Sequence, residues 1–70
     1  MEKKEVESRL ITSIGYDPEK KMMEVEFTST MIYQYRNFPE DVFNKLLEAR
    51  SIDNYFRDHV VNKFAYVRMK

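Results

Sequence analysis

Two periodicities divide the chain. From about residue 8 to residue 36 apolar side chains recur at alternate positions, and from Phe38 to Phe64 they recur every third or fourth. The first spacing is that of strands and the second that of helices. Met22 to Thr28 alternates most cleanly: Met23, Val25 and Phe27 point one way, Met22, Glu24, Glu26 and Thr28 the other. Such a pattern fits an antiparallel sheet with one wetted face. Ser8 to Tyr16 reads as an earlier strand, with Leu10, Thr12, Ile14 and Tyr16 opposite Arg9, Ile11, Ser13 and Gly15. Ile11 breaks the division, so this strand is either covered on both sides or bulged. Gly15, the sole glycine, is one candidate for the bulge. A third strand is expected from about Met31 to Arg36, with Met31, Tyr33 and Tyr35 on one face and Ile32, Gln34 and Arg36 on the other. The links are short. Asp17-Pro18 starts a turn, since Pro presets φ and Asp bonds the backbone ahead of it. Ser29-Thr30 makes the second link. Short links favour an antiparallel meander.

Phe38-Pro39 ends the sheet pattern. Pro39 suits the first position of a helix, and Glu40 and Asp41 sit where the helix dipole favours acids. Val42, Phe43, Leu46, Leu47 and Ala49 form the apolar side of about three turns, with Phe38 as a candidate staple onto Val42 or Phe43. Ser51 is a good N-cap for a second helix whose stripe is Ile52, Tyr55, Phe56, His59 and Val60, extending toward Phe64. Phe64-Ala65-Tyr66-Val67 is compatible with a last helical turn, a docked tail or a short fourth strand. The expected fold is therefore α+β: a three-stranded antiparallel meander, with room for a short fourth strand, followed by two short helices on one sheet face. Residues 1–5 are charged and aperiodic and are expected to fray.

Composition narrows the function classes. Seventy residues make one domain, which buries only about 60% of its unfolded surface and is marginally stable. The absence of cysteine excludes a disulfide framework and a Cys-ligated zinc site, and His59 is the only histidine. Stability must come from the five Phe and five Tyr or from self-association. No apolar run approaches a membrane span of about 18 residues, and the charged start does not lead into a signal peptide. A cytoplasmic location is expected. Twelve basic side chains balance twelve acidic ones, which argues against a dedicated nucleic-acid binder. The balance tilts slightly: residues 1–35 carry five bases and seven acids, residues 36–70 seven and five.

Candidate chemistry is sparse. Tyr33 and Tyr35 share one strand face, where aromatic rings either fill the core or stack bases. Gln34 and Arg36 on the opposite face are costly to bury, so the tyrosines are expected to face inward with their hydroxyls toward the rim. Arg36, Arg50, Arg57, Lys63, Arg68 and Lys70 would bind phosphates if the fold clusters them, and Arg50 and Arg57 flank the corner where the second helix offers free N–H groups. Solvated ion pairing is the competing account of these charges. His59 reads as a partly buried, hydrogen-bonded structural residue. Glu24 and Glu26 read as solubilising charges on the wetted face, and Met22 with Ile32 as a small apolar spot there. No nucleophile–base pair, phosphate loop or metal cluster is legible, so no enzyme activity, cofactor or metal is expected.

The order of elements resembles the KTSC domain, a small family named for its occurrence at the C-terminus of some lysyl-tRNA synthetases and also found as stand-alone bacterial proteins. The likeness spans roughly residues 6–66. Its elements are Ile11 and Ile14-Gly15-Tyr16-Asp17, Val25-Glu26-Phe27, Tyr33-Gln34-Tyr35, Pro39 with Leu46 or Leu47, Ala49-Arg50-Ser51, and Tyr55-Phe56. The chain departs from the family pattern at Asp53, where such domains tend to carry glycine, and at Arg57, where they tend to carry asparagine. The resemblance implies a non-catalytic binding module associated with RNA or with an RNA-handling protein. The alternative is a protein-interaction or self-associating module. The candidate binding residues are Tyr33, Tyr35, Arg36, Arg50 and Arg57.

Overall fold

A computed structural model describes residues 3–70. The chain runs β1 (Lys3–Glu5), β2 (Ile11–Asp17), β3 (Met22–Phe27), β4 (Ile32–Tyr35), α1 (Glu40–Glu48), α2 (Ile52–His59) and β5 (Tyr66–Arg68). The strands form one antiparallel sheet in the order β1-β2-β3-β4-β5. The α+β class and the meander are as expected, but the sheet has five strands where three or four were anticipated. The fourth expected strand is β5. The extra one is β1, in the stretch expected to fray. It is held because Lys3 lies opposite Gly15 and reaches two carboxylates on β3. A pattern of charges alone does not reveal that pairing.

One sheet face carries the apolar stripe. Ile14 pairs with Val25 and Tyr16 with Met23, while Ile11 pairs with Phe27. The register shifts between Ile11 and Ser13, so the bulge lies there and not at Gly15. The extra residue turns Ile11 onto the core face with Ile14 and leaves Leu10 exposed, although Leu10 and Ile14 share a face by simple alternation. Ile11, Ile14, Met23, Val25 and Tyr35 meet Phe38, Leu46, Phe56 and Val60 in one buried cluster. Tyr35–Phe56 and Tyr35–Phe38 are edge contacts at 5.8 and 6.2 Å, and Phe38–Phe64 lie 4.6 Å apart. Phe43 stacks on Tyr16 of β2 at 4.9 Å, and Val42 and Phe43 both pack against the cluster that holds Phe38.

The helix starts differ. Pro39 is the N-cap of α1, one position before the expected place, and offers no capping side chain. Ser51 caps α2 by accepting from the Asn54 N–H at 3.2 Å. α2 stops at His59, short of Phe64, and the chain turns back through Asn62, which has φ 64°. That reversal delivers β5 to β4. Arg36 N–H donates to Ala65 O at 3.2 Å, and Met69 N–H to Ile32 O at 2.7 Å. β4 itself begins at Ile32, one residue after the expected start at Met31.

Candidate functional site

The tyrosine row is built by β4 and β5. Tyr33 and Tyr35 stand on the helix-bearing face of the sheet, directly opposite Val25 and Met23 of the apolar stripe. Tyr35 is only 3% exposed, wedged among Phe38, Phe56 and Tyr66, and burial pushes its hydroxyl up to about 12. Tyr33 is half-buried. It meets Phe27 edge-on at 5.0 Å and stacks face to face on Tyr66 at 4.6 Å with the rings 8° from parallel. Tyr66 is 51% exposed. The inward orientation expected of the tyrosine pair is thus what the structure shows, but the ring that brings the cluster to the surface is Tyr66. Its placement depends on β5, which the residue pattern left open.

Beside this stack lies a groove of about 510 Å³. Tyr33, Tyr35 and Tyr66 form its floor, Phe27, Thr28, Ser29 and Met31 one wall, and Phe56, Arg57, Val61 and Asn62 the other. Leu10, displaced by the bulge, closes one end next to Asp53. The wall from Phe27 to Met31 is a three-residue hairpin loop. Phe27 N–H donates to Met31 O at 2.8 Å and Thr30 N–H to Phe27 O at 2.9 Å. Thr30 takes φ 73° at the position where such loops turn left-handed.

Asp53 anchors the segment that leads into β2. Its carboxylate accepts from the Ser8 hydroxyl, from Arg9 N–H at 3.1 Å and from Leu10 N–H at 3.4 Å. The Ser8 hydrogen bond is the main reason the carboxyl is held below its ordinary value, with the two amides adding to it against some desolvation. The N-terminus of α2, expected to offer free N–H groups to an anion, instead has its Asn54 N–H satisfied by Ser51 and carries an anion of its own.

The other candidates are dispersed. Arg57 is exposed at the groove wall and pairs with Asp58 at 3.2 Å. Arg50 borders a separate cleft with residues 4–7 of the N-terminal segment. Arg36 lies with Lys20, Met22, Gln34 and Asn37, and shares the face opposite the tyrosines with Gln34. The five candidates therefore do not form one site. Tyr33, Tyr35 and Arg57 converge on the groove; Arg36 and Arg50 do not. Residue alternation foretold the separation of Arg36, but nothing local showed that Arg50 would face β1.

Two further expectations are corrected. His59 is exposed and lies 4.3 Å from the Tyr55 ring, with no hydrogen bond among the described residues, because it falls with Arg57 and Asp58 on the solvent side of the last turn while Phe56 and Val60 take the core side. Met22 and Ile32 are not neighbours: they oppose Asp17 and Glu26, at the two ends of β3. Glu24 and Glu26 lie on the face away from the helices, as expected, but are bridged by Lys3 Nζ at 2.7 and 3.7 Å. Gln34 also donates to Glu24 at 3.2 Å. The Lys3 hydrogen bond holds the Glu24 carboxyl low and, with the two negative charges, raises the Lys3 ammonium.

The KTSC domain model matches residues 7–64. The chain belongs to the KTSC domain family. A KTSC domain protein of Yersinia pestis superposes with a TM-score of 0.94 at 32% identity, covering 99% of this chain and 97% of that one. An uncharacterized protein of Stutzerimonas stutzeri (strain A1501) is 41% identical over 56 residues, 80% of this chain and 79% of its own length. A protein of Tsukamurella paurometabola is 34% identical over 64 residues, 91% and 96% of the two chains. The KTSC match ends at Phe64, so β5, and Tyr66 with it, lies beyond the matched segment.

Proposed function

We propose that this KTSC domain is a non-catalytic binding module whose ligand sits in the tyrosine groove, and that the ligand is a short stretch of single-stranded RNA. The Tyr33–Tyr66 stack carries the proposal. One face of the Tyr66 ring is engaged by Tyr33, the residue is 51% exposed, and a groove of about 510 Å³ lies beside it. Bases stack on aromatic side chains whatever their identity. Arg57 at the wall supplies a cation, and Arg68 stands opposite Tyr33 on the same sheet face as Tyr66. The titratable carboxylate of the groove, Asp53, is committed to Ser8, Arg9 and Leu10, which supports a binding and not a catalytic role. A cytoplasmic setting belongs to the same proposal; no helix among the described residues is long and apolar enough to cross a membrane.

The test is fluorescence anisotropy with labelled RNA oligomers at low salt. Tyr66→Ala is expected to weaken binding by about 1–3 kcal/mol, the range for one stacked base. Arg57→Glu should weaken it further, while Arg50→Glu and Arg36→Glu leave it unchanged. With two cations engaged, log K should fall with log salt at a slope of only about −1.4. No binding at low salt, or loss on Arg50→Glu alone, contradicts the proposal. A second reading, an apolar side chain of a protein partner in the groove, is favoured by Leu10, Met31 and Val61 in its walls. It predicts that RNA leaves the groove unoccupied.

A further inference from the structure

The two edges of the sheet differ in what they present to a second copy of themselves. On β5 the ladder to β4 uses alternate residues: Arg36 N–H donates to Ala65 O and Met69 N–H to Ile32 O. With Gln34 opposite Val67, the backbone groups of residues 65, 67 and 69 therefore point inward, and those of Tyr66 and Arg68 point away from the sheet. β1 is the other edge. Val6 N–H donates to Thr12 O and Lys4 lies opposite Ile14, so the outward groups there belong to Lys3 and Glu5.

An edge that pairs with its own copy does so about a two-fold axis, and the residue on the axis meets itself. On β1 that residue is Lys4, so the pairing sets lysine against lysine. On β5 it is Val67, a β-branched residue 41% exposed. Its neighbours are also complementary. In that register Tyr66 lies opposite Arg68 of the second copy and Arg68 opposite its Tyr66, all on the helix-bearing face. The outward N–H and C=O groups of both residues then meet in four hydrogen bonds. A guanidinium over a tyrosine ring is an attractive cross-strand pair. On the opposite face the exposed Val67 loses water against its own copy and the exposed Met69 against Ala65 of the second copy. β5 thus lacks the like-charge guard that β1 carries.

We infer that β5 is a homodimerisation edge: two copies join antiparallel about a two-fold axis through Val67, forming one continuous ten-stranded sheet with both tyrosine grooves on the same side. The contact is short and lies at the low end of interface sizes, so association is weak and concentration-dependent. The inference stands without the RNA reading, because the outward backbone groups of β5 and Val67 carry it, although Tyr66 and Arg68 belong to both surfaces.

Sedimentation velocity over a concentration series reaching about 1 mM, the range for weak contacts, tests it. The native chain should shift from 8.6 kDa toward twice that mass and stop there. Val67→Lys and Val67→Glu should each be monomeric, since each sets a charge against itself on the axis. Mixing the two should restore a heterodimer. Arg68→Pro should also be monomeric with unchanged circular dichroism, because the N–H it removes points away from β4. A native chain monomeric throughout the series, growth beyond the dimer, dimers persisting in both charged variants, or a mixture that stays monomeric would each overturn the inference.

Discussion

At Asp53 a single carboxylate joins the start of α2 to the strand that begins the core. It accepts from Ser8, Arg9 and Leu10, more than forty residues away in sequence. The sign of its pH effect follows from the direction of its shift. A carboxyl held below its ordinary value stabilises the fold above the unfolded value of about 3.9, and that contribution is lost as pH falls through the lower folded value. Asp53→Asn should therefore cost about 1–2 kcal/mol in urea unfolding at pH 7, kept at the low end of charged hydrogen bonds because solvent reaches the site. A domain of this length has roughly 4–10 kcal/mol in all, so the loss is large. Below about pH 4 the gap between native and variant should close. An equal gap at pH 7 and pH 2 would show that the charge plays no part.

Among the elements, the β3–β4 loop combines strain with position. Thr30 holds φ 73° although a β-branched side chain is disfavoured there by about 1–2 kcal/mol, and its neighbours Ser29 and Met31 line the groove. Thr30→Gly should stabilise the domain by about 1 kcal/mol and raise its Tm by about 4–8 °C. An unchanged or lower Tm in a calorimetric scan would mean that Thr30 makes compensating contacts. The elements most legible in the sequence were those with one strong local cause. Met23, Val25 and Phe27 announce β3 by strict alternation, and Ser51 announces α2 by its cap. Non-local causes left little trace. Ile11 showed that β2 had to bulge or be covered twice, but the place of the bulge is set by its pairing with Phe27. β1 exists because of Glu24 and Glu26, about twenty residues on, and β5 because the turn at Asn62 redirects the chain.

For the molecule as a whole, what matters is where charge and aromatic surface coincide. The chain is neutral, and the three candidate arginines lie in separate regions: Arg36 on the open face, Arg50 near β1, Arg57 at the groove. Of these three only Arg57 lies with exposed aromatic surface, where Arg68 on β5 joins it. Part of the candidate site was legible, since Tyr33 and Tyr35 were placed inward by the polar Gln34 and Arg36 between and after them. Tyr66 was not, because its role arises from stacking across β4 and β5 and not from any spacing within its own segment.

The central claim is that the groove beneath Tyr66 is the surface that binds. A titration of the isotopically labelled domain with a single-stranded RNA oligomer, followed amide by amide in nuclear magnetic resonance, tests it most directly. The account predicts shifts gathered on residues 27–31, Tyr33, Arg57, Val61, Asn62 and Tyr66, with the amides near Arg36 and Arg50 unmoved. A spectrum that stays unchanged at low salt, or shifts confined to Lys20, Met22 and Gln34 on the opposite face, would contradict it.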